Sequence, residues 1–301
     1  MTYSIIARDP ATGEVGAAVQ SRWFNVGATV VWAEPGVGVV ATQAFVEPSY
    51  GPLGLARLRK GESAPDVLAA LLEADGGREL RQVGIVDANG RSGAHTGARC
   101  VTESGHLTFD DLAVQANMME RPTVWPAMAE AYASSDGELA DRLMAALRAA
   151  EAEGGDVRGR QSAALLIVPA SGPGWATRYD LRVEDDRSPL DELARVLRVA
   201  RAYEAFSLAI DLAMTGDMAA ASRAVEEAHA LAPDDDQIAL WAAVMLGGSG
   251  RTDEARSLFL AARRAEPRSA EHVRRFLAAG LLPAQIAPFV DMLAALPDDA
   301  G

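Results

Sequence analysis

The last third of the chain carries a 34-residue period: Gly216 recurs at Gly250, Ala221 at Ala255, Ala228 at Ala262 and Pro233 at Pro267. A period of that length, in a stretch from Leu190 onward rich in Ala and Leu, leaves little choice of structure. Paired helices pack closely only where side chains are small. Glycine permits the tight turn between them, and proline ends the second helix. Residues 188–301 are therefore expected to form an all-α domain of helical hairpins. Only about two repeats fit, so the array should lean on the preceding domain or on another chain.

Residues 1–187 read differently. Thr2 to Arg8 and Glu14 to Ser21 are strand-like around the turn residues Asp9-Pro10-Ala11-Thr12-Gly13, which predicts a hairpin. Ala28 to Ala33 and Val37 to Gln43 suggest a second strand pair, and the apolar run from Gly27 to Trp32 suggests burial on both faces. Helices are expected over Gly54 to Arg59 and Asp66 to Ala74, the latter with Ser63 as N-cap and Pro65 in its first turn. Strands return at Gln82 to Asp87, Ser92 to Thr96 and Leu112 to Asn117. Helices follow at Val124 to Ala133 and Gly137 to Glu153, the second stopped by Gly154-Gly155. Ser162 to Pro169 and Trp175 to Val183 are the last strands. Blocks of strands and helices, without regular βαβ alternation, predict a layered α+β domain on an antiparallel or mixed sheet.

Composition narrows the function. The 301 residues carry a net charge of −14, without the basic footprint that nucleic-acid binding needs. No apolar run approaches the roughly 18 residues of a membrane span, and no basic-then-apolar leader is visible, so a cytoplasmic protein is expected. A single cysteine, Cys100, excludes an internal disulfide and a cysteine-cluster metal site. The four histidines show no metal-ligand spacing, so neither metal nor cofactor is expected.

Four segments could carry chemistry. Thr2 follows Met1 at the head of the first strand, and threonine is small enough for an aminopeptidase to remove the methionine before it. The freed α-amine, with a pKa of about 7.7–8.0, could deprotonate the residue's own hydroxyl. Alternatively Thr2 is simply a β-prone residue opening a strand. His95, in Ala94-His95-Thr96-Gly97, is either a base or substrate contact, or a structural histidine. Gln115 and Asn117 alternate on one strand and so share a face, as oxyanion donors or as a strand-end network. The polar loop Gly154 to Ala163 gathers Asp156, Arg158, Arg160, Gln161 and Ser162, either as a functional loop or as a helix terminus with a structural ion pair. Ser21 and Cys100 are lesser nucleophile candidates.

Two resemblances add to this reading. The 34-residue repeat resembles the tetratricopeptide repeat. The segments Thr2–Asp9, Gly13–Gly16, Val19–Ser21, Pro48–Gly51, Ala94–Gly97, Asn117-Met118 and Gly155–Ala163, in that order, closely resemble the family called domain of unknown function 1028, over roughly residues 1–185. That family is similar to the N-terminal nucleophile (Ntn) hydrolases, which implies a four-layer α-β-β-α sandwich and carries Thr2 over as nucleophile. Unlike proteasome-like members, the chain has no lysine before Lys60; Arg8 or the Arg158 loop could substitute electrostatically but not as a base. The expectation is an amidohydrolase acting on a small amide or N-acyl compound. Thr2 would be nucleophile and base, Asn117 with backbone amides the oxyanion donors, and Asp156 would orient the α-amine; His95, Gln161 and Ser162 are secondary candidates. The alternative is a non-catalytic scaffold whose helical repeats bind a protein partner or a second copy of the chain.

Overall fold

In the computed structural model, which describes residues 2–282 and 286–295, the chain divides into two compact units, Met1–Arg195 and Val196–Gly301. The first holds two antiparallel sheets. Strands β1 (Thr2–Arg8), β2 (Val15–Ser21), β7 (Gly105–Phe109), β8 (Leu112–Asn117), β9 (Ser162–Val168) and β10 (Tyr179–Val183) form one sheet in the order β10-β9-β2-β1-β8-β7. Strands β3 (Val31–Glu34), β4 (Gly38–Ala44), β5 (Arg81–Asp87) and β6 (Ser92–Thr96) form the other in that order. The two sheets meet through β1 with β4 and β5, and through β8 with β5.

Each sheet carries a helix pair. Helices α2 (Tyr50–Leu58) and α3 (Ala64–Ala74) pack on the second sheet; α4 (Val124–Ser134) and α5 (Leu139–Ala152) pack on the first. The side-chain alternation of a strand serves both neighbours. On β4, Val39 and Ala41 join the core between the sheets, whereas Val40 packs beneath α2 and α3 with Leu55, Leu58, Val67 and Leu71. On β1, Ile6 faces the opposite sheet, whereas the Tyr3 hydroxyl donates 2.7 Å to Glu151 on α5. Burial on both faces explains why the central strands read as nearly unbroken apolar runs.

The local signals at Ser63 and Gly154 operate as read. The Ser63 side chain caps α3 by accepting from the Asp66 amide, with Pro65 in the first turn. Gly154 and Gly155 end α5 with φ of 107° and 59°. Three segments depart from the sequence-based expectation. Gly27–Val30 is a single helical turn, α1, and the strand begins only at Val31. Residues 22–30 must carry the chain from β2 in one sheet to β3 in the other, and Gly27 lies so close to Ala164 that a Cβ would approach its methyl to 2.4 Å. β7 was not foreseen: Gly-His-Leu-Thr-Phe is a short, half-exposed edge strand without apolar periodicity. β10 begins at Tyr179 rather than Trp175, which is 84% exposed.

The second unit is all helix: most of α6 (Pro189–Met214), then α7 (Met218–Leu231), α8 (Asp236–Gly248), α9 (Thr252–Ala265), α10 (Ser269–Ala278) and α11 (Ala287–Ala294). α7 and α9 start and end 34 residues apart. Ala221, Ala228, Ala255 and Ala262 are buried where helices cross, and Gly216 and Gly250 turn the chain with φ of 91° and 87°.

Truncating Ile6, 1% exposed between the sheets, should leave a cavity that stacked sheets cannot collapse into. Ile6→Ala is expected to cost about 2–5 kcal/mol in urea unfolding, with the slope unchanged.

Candidate functional site

The faces that the two sheets turn toward each other change character along their length. At one end they hold Ile6, Val15, Ala17, Val39, Val86 and Ala113. At the other, the same alternating positions become Thr2 and Ser4 on β1, Ser21 on β2, Gln43 on β4, Gln82 on β5, Gln115 and Asn117 on β8, and Ser162 on β9. All of these are buried. Because the strands are antiparallel, residues far apart in sequence turn polar at one level; Thr2, for instance, lies opposite both Ser21 and Asn117.

A cavity of about 480 Å³ opens at this end, lined by Thr2 together with Trp23, Val30, Phe45, Arg81 and Arg158. The Thr2 hydroxyl donates to Ser21 Oγ at 3.0 Å. Its carbonyl oxygen accepts from Gln43 Nε2 at 3.1 Å and Asn117 Nδ2 at 3.3 Å. Trp23 and Phe45 are 63% and 54% exposed, an unusual allowance for large apolar rings and consistent with walls that contact a ligand. Three non-glycine residues near the cavity have left-handed backbones: Asn25 at φ 49°, Ala44 at 69° and Met118 at 58°. Strain of this kind persists only where surroundings enforce it, and it concentrates at functional sites.

The other candidates fall into two groups. Ser162 and Asp156 hold the cavity's rim. Ser162 Oγ donates to the Trp23 carbonyl at 2.5 Å and accepts from the Val26 amide at 3.0 Å, pinning the loop that carries Trp23. Asp156, buried, accepts from the Arg22 amide at 3.1 Å and from Arg158 Nη2 at 2.8 Å and Nε at 3.1 Å, which sets the Arg158 side chain in the wall. Asn117 lies behind Thr2; its Nδ2 is engaged with Thr2 and with Gln82 Oε1 at 2.8 Å, while its buried Oδ1 has no hydrogen-bond partner. His95 and Gln161 are not in the cavity. His95 Nε2 pairs with the Arg78 carbonyl at 3.0 Å, and Gln161 donates to Asp185 at 3.1 Å. Cys100 contacts the Arg81 carbonyl, and burial pushes its thiol pKa up, away from thiolate chemistry. Arg8 pairs with Asp111 at the far end of β1.

Gln43, Gln82 and Ser4 were not singled out from sequence. The available signal was polar side chains interrupting three otherwise apolar strands, since a buried amide or hydroxyl needs partners. Those partners are present: Ser4 Oγ donates to Gln43 Oε1 at 2.7 Å, Gln115 Nε2 donates to Ser4 Oγ at 3.2 Å and to the Ala41 carbonyl at 3.0 Å. Beyond Gln82, Thr96 Oγ1 contacts His106 Nδ1 at 2.9 Å; burial, reinforced by nearby His95, lowers the His106 pKa. Among the described residues no cluster of three or more His, Cys, Asp or Glu could hold a metal ion, and no helix is long and apolar enough to cross a membrane.

The model of a family of unknown function, DUF1028, matches residues 2–193, and the chain belongs to that family. Its structure is similar to the crystal structure of protein SPO2555 from Silicibacter pomeroyi, assigned to the same family, at 32% sequence identity and a TM-score of 0.61, covering 66% of this chain and 88% of that one. No curated protein matches the chain.

The Arg81 wall has a pH signature. Its Nε donates to Asp75 at 2.9 Å and its Nη1 to the Phe45 carbonyl at 2.7 Å, so one guanidinium ties the wall to a carboxylate. That bond, followed by the Gly77 amide and the Tyr50 hydroxyl, lowers the Asp75 pKa from 3.8 to about 2. A depressed carboxyl pKa stabilises the fold above its unfolded value, and the contribution is lost as pH falls from about 4 through about 2. In urea titrations between pH 6 and 2, the gap between wild type and Asp75→Asn should close across that window; a gap independent of pH would disprove the coupling.

Proposed function

We propose that the first unit is an Ntn-type amidohydrolase that cleaves a small amide or N-acyl compound through an acyl-enzyme on Thr2. The observation that carries this reading is Thr2 at the wall of a cavity of about 480 Å³, on a central strand at the polar end of two stacked sheets. The helix pairs packed outside each sheet support reading the architecture as the four-layer α-β-β-α sandwich of that class. The match to a family of unknown function names no substrate.

In this reading, removal of Met1 frees the Thr2 amine. The amine takes the hydroxyl proton, directly or through a water, and Oγ1 attacks the substrate carbonyl carbon. Collapse of the tetrahedral adduct breaks the C–N bond, and the ammonium returns the proton to the departing amine. Water, deprotonated by the same amine, then attacks the ester and releases the acid. Asn117 and Gln43 hold the Thr2 carbonyl. Asp156, the partner proposed for the amine, also fixes Arg158, a cation in the wall, and Ser162 fixes the Trp23 loop.

Thr2→Ala should lose turnover by several orders of magnitude in a screen of acylated amino acids and simple amides, with an unchanged circular dichroism spectrum. The active protein should lack the mass of Met1. Full activity in Thr2→Ala, or active protein that keeps Met1, would sink the mechanism.

For the second unit we propose a tetratricopeptide-like module that contacts a second copy of the chain, supported by the 34-residue spacing of α7 and α9 and by exposed apolar residues such as Met214 and Leu281. Light scattering is then expected to give a mass above 31.7 kDa that falls toward one chain with Leu281→Glu. A single-chain mass at every concentration would exclude self-association.

A further inference from the structure

We propose that Gln82 is the positioning residue of the Thr2 site, orienting the two amides that clamp the Thr2 carbonyl and so aiming the nucleophile. The proposal rests on Thr2 being the nucleophile.

The argument begins with atoms whose hydrogen-bonding sense cannot reverse. The carbonyl oxygens of Gly105 and Ala116 only accept, and Gln82 places its side-chain nitrogen against both, at 3.1 and 2.8 Å. The same nitrogen donates to Thr96 Oγ1 at 2.8 Å. Two N–H groups shared over three acceptors fix the sense of the Gln82 amide. Its oxygen must then face the other way, where it accepts from Gln43 Nε2 at 2.7 Å and Asn117 Nδ2 at 2.8 Å. Both neighbours are therefore compelled to present NH₂, not oxygen, to this centre, and the same two nitrogens donate to the Thr2 carbonyl. Gln43 is fixed a second time, because its oxygen accepts from Ser4. The sense of three amides is thus dictated by backbone carbonyls of β8 and of the first residue of β7.

The consequence is specific to a nucleophile at a chain end. A terminal residue is tethered on one side only and tends to fray. Here the Thr2 carbonyl is gripped by two buried donors from different sheets, Gln43 of β4 and Asn117 of β8, while Gln82 of β5 ties those donors to each other. If the Gln82 oxygen is lost, Asn117, whose own oxygen has no partner, is free to rotate and can turn that oxygen toward the Thr2 carbonyl, which repels it, while Gln43 is held by Ser4 alone. Displacement of a reacting atom by about 1 Å costs up to about 100-fold in rate. Gln82 itself does not line the cavity, so ligand affinity should be spared.

The experiment measures acylation of Thr2 by an alkyl β-lactone, followed by intact mass, in wild type, Gln82→Met and Gln82→Glu. Matched circular dichroism spectra and melting curves select the folded variants. The expected result is roughly 10- to 100-fold slower acylation in Gln82→Met at saturating lactone, with the half-saturating concentration unchanged. Gln82→Glu keeps the volume and the oxygen facing Gln43 and Asn117 but turns a second oxygen on the Gly105 and Ala116 carbonyls. Protonating that carboxyl restores one donor, so the ratio of variant to wild-type rate should rise as pH falls, which a merely structural role would not produce. If Gln82→Met does not fold, this ratio decides alone. Acylation at the wild-type rate in either folded variant, or a flat ratio, overturns the role of Gln82 while leaving Thr2 as nucleophile. A wild-type protein that the lactone does not acylate at Thr2 overturns the Thr2 reading and the role of Gln82 with it.

Discussion

The polar end of the first unit depends on one requirement: amides taken out of water between two sheets must find partners there. An unpaired buried polar group costs about 1–3 kcal/mol. Ser4, Gln43, Gln82, Gln115 and Asn117 meet the requirement largely among themselves and with strand carbonyls. Their bonds cross between strands of both sheets, so the same contacts that satisfy the amides hold the sheets in register. An apolar filling would have packed as well but would have left Thr2 without donors on its carbonyl. This end is therefore organised around the first residue of β1, and the apolar half of the sandwich supplies the rigid frame behind it.

The cavity walls follow from where that cluster stops. Beyond Gln43 the chain leaves β4 at Ala44, and beyond Asn117 it leaves β8 at Met118, both with left-handed backbones. Each chain turns out of its strand at that residue. Phe45, after one of these turns, and Trp23, in the crossing from β2 to β3, are exposed aromatic residues that line the same cavity as Thr2. Arg81 and Ser162 hold these two walls through the carbonyls of Phe45 and Trp23. The cavity is thus framed by backbone carbonyls held from behind, an arrangement that keeps the apolar faces available to a ligand.

Much of this was legible in residue order. The strands β1, β4 and β8, the cap at Ser63 and the glycine stop at Gly154 are local properties, and local chemistry settled them. The Gln115–Asn117 pair on one face was readable because strand period is two. The partners of that pair were not readable: Gln43 and Gln82 lie 39 residues apart in sequence and meet only when β4 and β5 pair. His95 and Gln161 looked equivalent to Asn117 as polar residues in motifs, yet one sits on an edge strand against the Arg78 carbonyl and the other on a surface loop against Asp185. Which polar residue faces the cavity is a matter of which sheet lies opposite, and no local pattern encodes it.

The sequence by itself determined the element types, the change to helical hairpins with a 34-residue spacing, and the placement of Thr2 at the head of a strand. These rest on periodicity, capping and turn residues acting over a few positions. Only the tertiary structure decided that Gly27–Val30 is a helical turn, that β7 exists as an edge, and that eight buried polar side chains from six strands gather at the Thr2 end. Each of those outcomes depends on packing between segments distant in sequence. That packing sets which face of a strand is buried and what its polar atoms must bond.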